Sequence, residues 1–183
     1  LLRSSLQRVL LLPLSVSSQC RYFDRLFPSV TKTADVIYGN APSITAFYLG
    51  ESITVAQDLK MDIFQPQGDV EMNRALIIFA HSGGFINGSK SNDDMQALCD
   101  TFAHYGYVTA TIDYRKNFNL LSSSSSERAV WRGVQDASAA VRYFKQNAAL
   151  YGIDANRIFF WGSSAGAFMA LGLAYVDDSE RPA

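Results

Sequence analysis

Five residues constrain this chain more than any others: Gly162-Ser163-Ser164-Ala165-Gly166 follows the apolar run Ile158-Phe159-Phe160-Trp161 and precedes the small, apolar run Ala167 to Ala174. A buried strand enters, a tight Gly-x-Ser-x-Gly turn reverses the chain, and a helix leaves. Ser164 is then placed at a sharply bent apex that lifts its hydroxyl above the sheet. The flanking glycines have a steric reason: a Cβ at Gly162 or Gly166 is expected to collide with backbone where strand and helix fold past each other.

Taken alone the pattern is weak, because three fixed positions at about 7% each give about one chance match per twenty chains of this length. A second motif adds the missing context. His81-Ser82-Gly83-Gly84-Phe85 directly follows the apolar run Ala75-Leu76-Ile77-Ile78-Phe79-Ala80. Glycine-rich turns at strand ends present backbone N–H groups to an anion, so two such turns in this order predict a site built from both.

The remaining pattern supplies the sheet around these turns. Leu59-Lys60-Met61-Asp62-Ile63-Phe64 alternates apolar and polar residues and predicts an early antiparallel edge strand with one wet face. Ala75 to Ala80, Tyr107 to Asp113 and Arg157 to Trp161 are nearly continuous in apolar or β-branched residues, as parallel strands covered on both faces require. Asp93 to Tyr105 predicts a helix with an acidic first turn and Gly106 at C′. A second helix is predicted over 125–146, with Val130, Val134, Ala137, Val141 and Phe144 on one face and a Ser124-x-x-Glu127 capping box at its start. This βαβ series predicts right-handed crossovers and a largely parallel sheet that binds ligands at the carboxyl ends of its strands, where both glycine turns lie. No Gly-x-Gly-x-x-Gly is present, so a dinucleotide site is not indicated.

The chain has 183 residues, 48% of them hydrophobic, and a net charge of −1, which suits one α/β unit with a full core. Charges are mixed in sign and form no basic stripe, so nucleic acid is not an expected partner. Arg3 and Arg8 precede the apolar run Val9 to Val16, and small residues follow. Residues 1–18 therefore predict a secretory leader, with the domain over 19–183 and a secreted or periplasmic setting. The run is too short to span a bilayer. Export leaves a Cys20–Cys99 disulfide open, while Cys99 equally fits the apolar stripe Met95, Leu98, Cys99, Phe102 as a buried thiol. No Cys-x-x-Cys or His-x-x-x-His spacing occurs, so no metal site is indicated.

On His81 to Phe85, Ile112-Asp113-Tyr114-Arg115, Tyr151-Gly152-Ile153-Asp154 leading into Arg157-Ile158, and Gly162 to Gly166, the chain from about Leu59 onward resembles the secreted carboxylesterases and lipases of the α/β-hydrolase superfamily that carry His-Gly-Gly-Gly-type loops. That resemblance implies an α/β-hydrolase fold and a serine ester hydrolase acting through an acyl-enzyme, without a cofactor, on a small-molecule or carbohydrate-linked ester. It makes Ser164 the nucleophile and the N–H groups of Gly83, Gly84 and Ala165 the oxyanion hole, with His81, Gly162 and Gly166 in supporting roles. A serine peptidase of the same fold and a non-catalytic hydrolase-fold binding protein are the alternatives. Ser82 departs from the glycine usual at its position, adding a hydroxyl and restricting φ beside the site.

In this fold the histidine and acid that activate the serine both follow it. Nineteen residues follow Ser164, and they include Asp177, Asp178 and Glu180 but no histidine. The acids are expected at the far end of the helix after the turn. His104, near the end of the first helix, is expected to be structural, and His81 to shape its loop. The expectation is therefore an N-terminal portion of a longer enzyme, inactive by itself, with Arg157 to Trp161 as an uncovered sheet edge. Asp113 and Asp136 are read as structural partners, and Asn87-Gly88-Ser89 as a turn.

Overall fold

The alternation of apolar runs with Gly, Asn and Ser breaks resolves into a five-stranded mixed sheet with four helices among residues 20–45, 51–177 and 179, which the structure, a computed structural model, describes. In chain order these are β1 (Val30–Ile44), β2 (Thr54–Pro66), β3 (Arg74–Ala80), α1 (Asp93–His104), β4 (Val108–Ile112), α2 (Ser123–Gln146), α3 (Ala148–Tyr151), β5 (Ile153–Gly162) and α4 (Ala165–Tyr175). The leader read over residues 1–18 lies outside the described residues.

The strands are ordered β1-β2-β4-β3-β5, with β1, β2 and β4 paired antiparallel and β4, β3 and β5 parallel. The interior position of β3, between β4 and β5, explains its near-continuous apolar sequence. Leu76 and Ile78 belong to the core beneath α2 and α4, with Ala137, Phe144 and Met169. Phe79 faces the opposite layer with Met95, Cys99 and Ala103 of α1. Each such fully buried aliphatic or aromatic side chain contributes about 1.5–3 kcal/mol.

Several expectations need correction. The strand over 59–64 is not the edge, because β1 lies outside it. Two register shifts, between Thr33 and Val36 and between Ile37 and Gly39, break the period-two pattern of β1 and hide it from the sequence. The capping box at Ser124 and Glu127 does not form: α2 begins at Ser123 with Ser122 as N-cap and no side-chain cap bond. The nearby Ser125 hydroxyl instead accepts the Asn119 N–H at 2.8 Å and donates to Glu51 at 2.8 Å, tying the preceding loop to the helix. Cys20 is exposed and Cys99 buried, and both are free thiols, so the disulfide is absent. Burial pushes the Cys99 thiol up to about 12.

Other readings match. Tyr105 caps α1 and Gly106 follows with φ +96°. β5 is longer than 157–161 but pairs only with β3 and forms the far edge of the described sheet, with Phe159 55% and Trp161 43% exposed.

Candidate active site

Parallel pairing of β3 with β5 brings Ala80 opposite Gly162, so the turns that leave these strands stand side by side. Ser163 donates its N–H to the Ala80 carbonyl at 3.4 Å, linking the two turns directly. The packing is close enough to exclude side chains. A Cβ on Gly162 would lie 2.2 Å from the Gly166 carbonyl carbon, and one on Gly166 would lie 2.2 Å from the Ala80 carbonyl oxygen.

Ser164, the N-cap of α4, has φ 53° and ψ −112°, a conformation L residues rarely adopt. The following backbone is secured by bonds from Ala167 and Phe168 N–H to its carbonyl, at 2.9 and 3.1 Å. Its side chain is exposed at the mouth of a cavity of about 270 Å³ lined by Gly84, Phe85, Phe118, Ser126, Glu127, Val130, Ala165 and Phe168 as well as Ser164. Gly83 adjoins this cavity through Gly84. No acceptor among the described residues takes the N–H of Gly83, Gly84 or Ala165.

The upstream turn is held from several sides. Its positive φ values fall on Gly83 (128°), Gly84 (60°) and Phe85 (58°), so the Cβ of Ser82 is accommodated. Gly83 accepts N–H bonds from Ile86 and Asn87 at 2.9 Å each. Phe85 is 6% exposed, rests edge-on against Tyr114 at 5.8 Å and accepts the Asn117 N–H at 2.7 Å, which holds it in its left-handed conformation. Further along, Lys90 donates its N–H to Asp113 Oδ1 at 2.8 Å and its ammonium to Asp62 at 2.6 Å and Asp35 at 3.1 Å. Lys116 Nζ reaches the Gly88 carbonyl at 2.5 Å.

His81 is fully buried. Its Nδ1 bonds the Ser82 carbonyl at 2.6 Å, its ring stacks on Tyr114 at 4.2 Å, and its Nε2 has no hydrogen-bond partner. Burial lowers its pKa below the usual histidine value, favouring the neutral ring. His104 lies at the other end of the sheet, with Nδ1 on the Phe27 carbonyl at 2.5 Å. Asp136 receives the Arg115 N–H at 2.8 Å and its guanidinium at 2.7 Å, a buried structural pair. Asp177 follows α4 and accepts the Ser179 N–H at 2.7 Å, while Asp178 and Glu180 lie outside the described residues. The sequence reading missed Phe118, Ser126, Glu127, Val130 and Phe168 as cavity residues. Only their helical spacing, one turn apart on α2 for Ser126 and Val130, carried a signal.

Residues 61–181 match the BD-FAE family model. Carboxylesterase 3B of Mus musculus is 32% identical over 137 residues, covering 69% of this chain and 23% of that protein. Gut esterase 1 of Caenorhabditis briggsae is 31% identical over 110 residues, covering 60% of this chain and 19% of that protein. Among solved structures, a thermophilic esterase from Thermogutta terrifontis, Est2, superposes with a TM-score of 0.56 at 31% identity, covering 69% of this chain and 42% of that one. Esterase 2 of the same organism, phosphonylated by cyclosarin, superposes with a TM-score of 0.59 at 27% identity over 85% of this chain and 50% of that one. The chain thus spans about a fifth of the length of the curated relatives and about half of the solved ones.

Proposed function

Because this chain belongs to the BD-FAE family and has an α/β-hydrolase fold, we propose that it carries the nucleophile and oxyanion hole of a serine carboxylic ester hydrolase. The observation that carries this reading is the single cavity in which a strained, exposed Ser164 meets Gly84 and Ala165. Ser164 Oγ attacks the ester carbonyl carbon, and the N–H groups of Gly83, Gly84 and Ala165 receive the oxyanion. Collapse expels the alcohol, which takes a proton, and leaves an acyl-serine that water then hydrolyses. A backbone already held at φ 53° for Ser164 and φ 60° for Gly84 needs no rearrangement to receive charge.

Neither histidine of these 183 residues is placed to shuttle the proton, since His81 is stacked on Tyr114 and His104 is bonded to the Phe27 carbonyl. Alone, the chain then hydrolyses p-nitrophenyl acetate at close to the background rate. The test compares it with a longer product of the same gene: the longer protein is expected to turn over, and Ser164→Ala to abolish that turnover. A longer protein that also lacks a histidine near Ser164 and shows no turnover favours the non-catalytic hydrolase-fold reading. Residues 1–18, as a leader, place the protein outside the cytoplasm in this account.

A further inference from the structure

β4 ends at Ile112, and the segment Tyr114 to Asn117 that follows it runs along the glycine-rich turn over 81–88. It takes three carbonyls of that turn: the Tyr114 hydroxyl donates to His81 at 2.8 Å, the Asn117 N–H to Phe85 at 2.7 Å, and the Lys116 ammonium to Gly88 at 2.5 Å. Direction follows from such bonds. A trans peptide points its carbonyl and the next residue's N–H to opposite sides, so a group that holds a carbonyl also aims the N–H after it.

Two peptides matter for the Ser164 cavity. The Gly83 carbonyl is held inside the turn by the N–H groups of Ile86 and Asn87, which directs the Gly84 N–H outward. The Ser82 carbonyl is held by His81 Nδ1 at 2.6 Å, which directs the Gly83 N–H away from the imidazole. A carbonyl only accepts, so Nδ1 carries the proton, and Nε2, buried without a partner, is the bare nitrogen of a neutral ring. Gly88 covers this bond. A Cβ there would lie 2.3 Å from His81 Nδ1 and 2.4 Å from the Ser82 oxygen, so its backbone stands against both bonded atoms. The hold on Gly88 is the Lys116 ammonium, whose charge strengthens the hydrogen bond it donates. Burial, and with it the Lys116 charge, also disfavours a second proton on the ring.

We propose that Lys116 is a positioning residue for the oxyanion hole: through Gly88 it keeps His81 bonded to the Ser82 carbonyl, and so keeps the Gly83 N–H turned away from the imidazole and free for the oxyanion. The word oxyanion rests on the ester hydrolase reading, but the coupling from Lys116 to Gly83 is measured without catalysis. NMR on the ¹⁵N-labelled 183-residue chain follows the His81 Nδ1 proton and the Gly83 amide. In Lys116→Met, with far-UV circular dichroism unchanged, exchange of the Nδ1 proton with solvent is expected to quicken ~10- to 100-fold, as loss of a hydrogen bond to a charged group implies. The Gly83 cross-peak is expected to shift with it. Lys116→Arg, which still donates to Gly88, is expected to restore both signals, and Lys116→Gln replaces the methionine variant should that one not fold. In a longer product of the same gene, Lys116→Met is expected to lower kcat for p-nitrophenyl acetate about tenfold with KM unchanged, and Lys116→Arg to recover it. Unmoved Nδ1 and Gly83 signals in the folded variant, or an undiminished kcat in a protein whose turnover Ser164→Ala abolishes, overturns the proposal. Turnover that survives Ser164→Ala sinks the ester hydrolase assignment instead, and the NMR result then decides the Lys116 coupling by itself.

Discussion

Replacing Gly166 by Ala isolates the packing that sets the serine turn. Gly166 has no positive φ and sits in α4, so backbone propensity alone would make alanine stabilising by about 0.5–1 kcal/mol. Sterics oppose it. The new Cβ would stand 2.2 Å from the Ala80 oxygen, 2.9 Å from its carbonyl carbon and 3.1 Å from its Cβ. Two of these atoms are backbone of the interior strand β3, where no rotamer change gives relief, so α4 must lift away from β3. Overpacking of this kind costs about 1–3 kcal/mol, and with contacts this short the upper end applies, leaving a net loss of about 2 kcal/mol. With a urea m-value of about 2 kcal/mol/M, the unfolding midpoint followed by far-UV circular dichroism should fall by about 1 M. Gly84→Ala is the contrast: its Cβ meets nothing within 4 Å but must hold φ +60°, costing about 1–2 kcal/mol by strain alone. A Gly166→Ala chain as stable as the parent would refute the steric account of this turn.

Asp62 gives a pH-dependent test. Burial pushes its carboxyl up, but Lys32, Lys90, the Asp35 N–H and Gln96 outweigh burial and hold it down, at about 2 against 3.8. A depressed carboxyl stabilises above its unfolded pKa and loses that contribution as pH falls, so about 2 kcal/mol should vanish between about pH 4 and pH 2; in Asp62→Asn the acid-unfolding slope should flatten across that window. Ellman's reagent should react with one thiol, Cys20, in the folded chain and with two in denaturant, since Cys99 is buried; two equivalents under native conditions would contradict its placement. The β5 edge, with Phe159 and Trp161 exposed, should drive self-association on size-exclusion chromatography, and Phe159→Lys should shift elution toward monomer; a concentration-independent monomer in the parent would count against an adhesive edge.

Legibility followed the physics of each segment. β3 and β4 were readable because burial on both faces demands unbroken apolar runs, and α1 because Gly106 ends it with a positive φ. β1 was not, because two bulges shift its alternation and its outer residues face solvent. Of the site, the turn glycines were legible from spacing, since the collisions at Gly162 and Gly166 follow from any strand reversing into a helix. Phe118 and Phe168 were not, because only the approach of the 117–118 segment and α4 toward one turn of α2 makes them neighbours. The left-handed Phe85 was equally hidden: its strain is held by Tyr114 and Asn117, contacts of long sequence separation. Ser124 misled for a local reason: α2 already begins at Ser123, and the neighbouring Ser125 hydroxyl is the one that bonds, serving the Asn119 loop and Glu51 rather than the helix end.

The central claim, that Ser164 is the acylated residue, is tested most directly by trapping. A longer product of the same gene, treated with p-nitrophenyl butyrate and quenched in acid during turnover, is digested and analysed by mass spectrometry. The account predicts one butyryl group on the peptide containing Ser164, absent in Ser164→Ala. Turnover with the acyl group on another residue, or undiminished in Ser164→Ala, would contradict it.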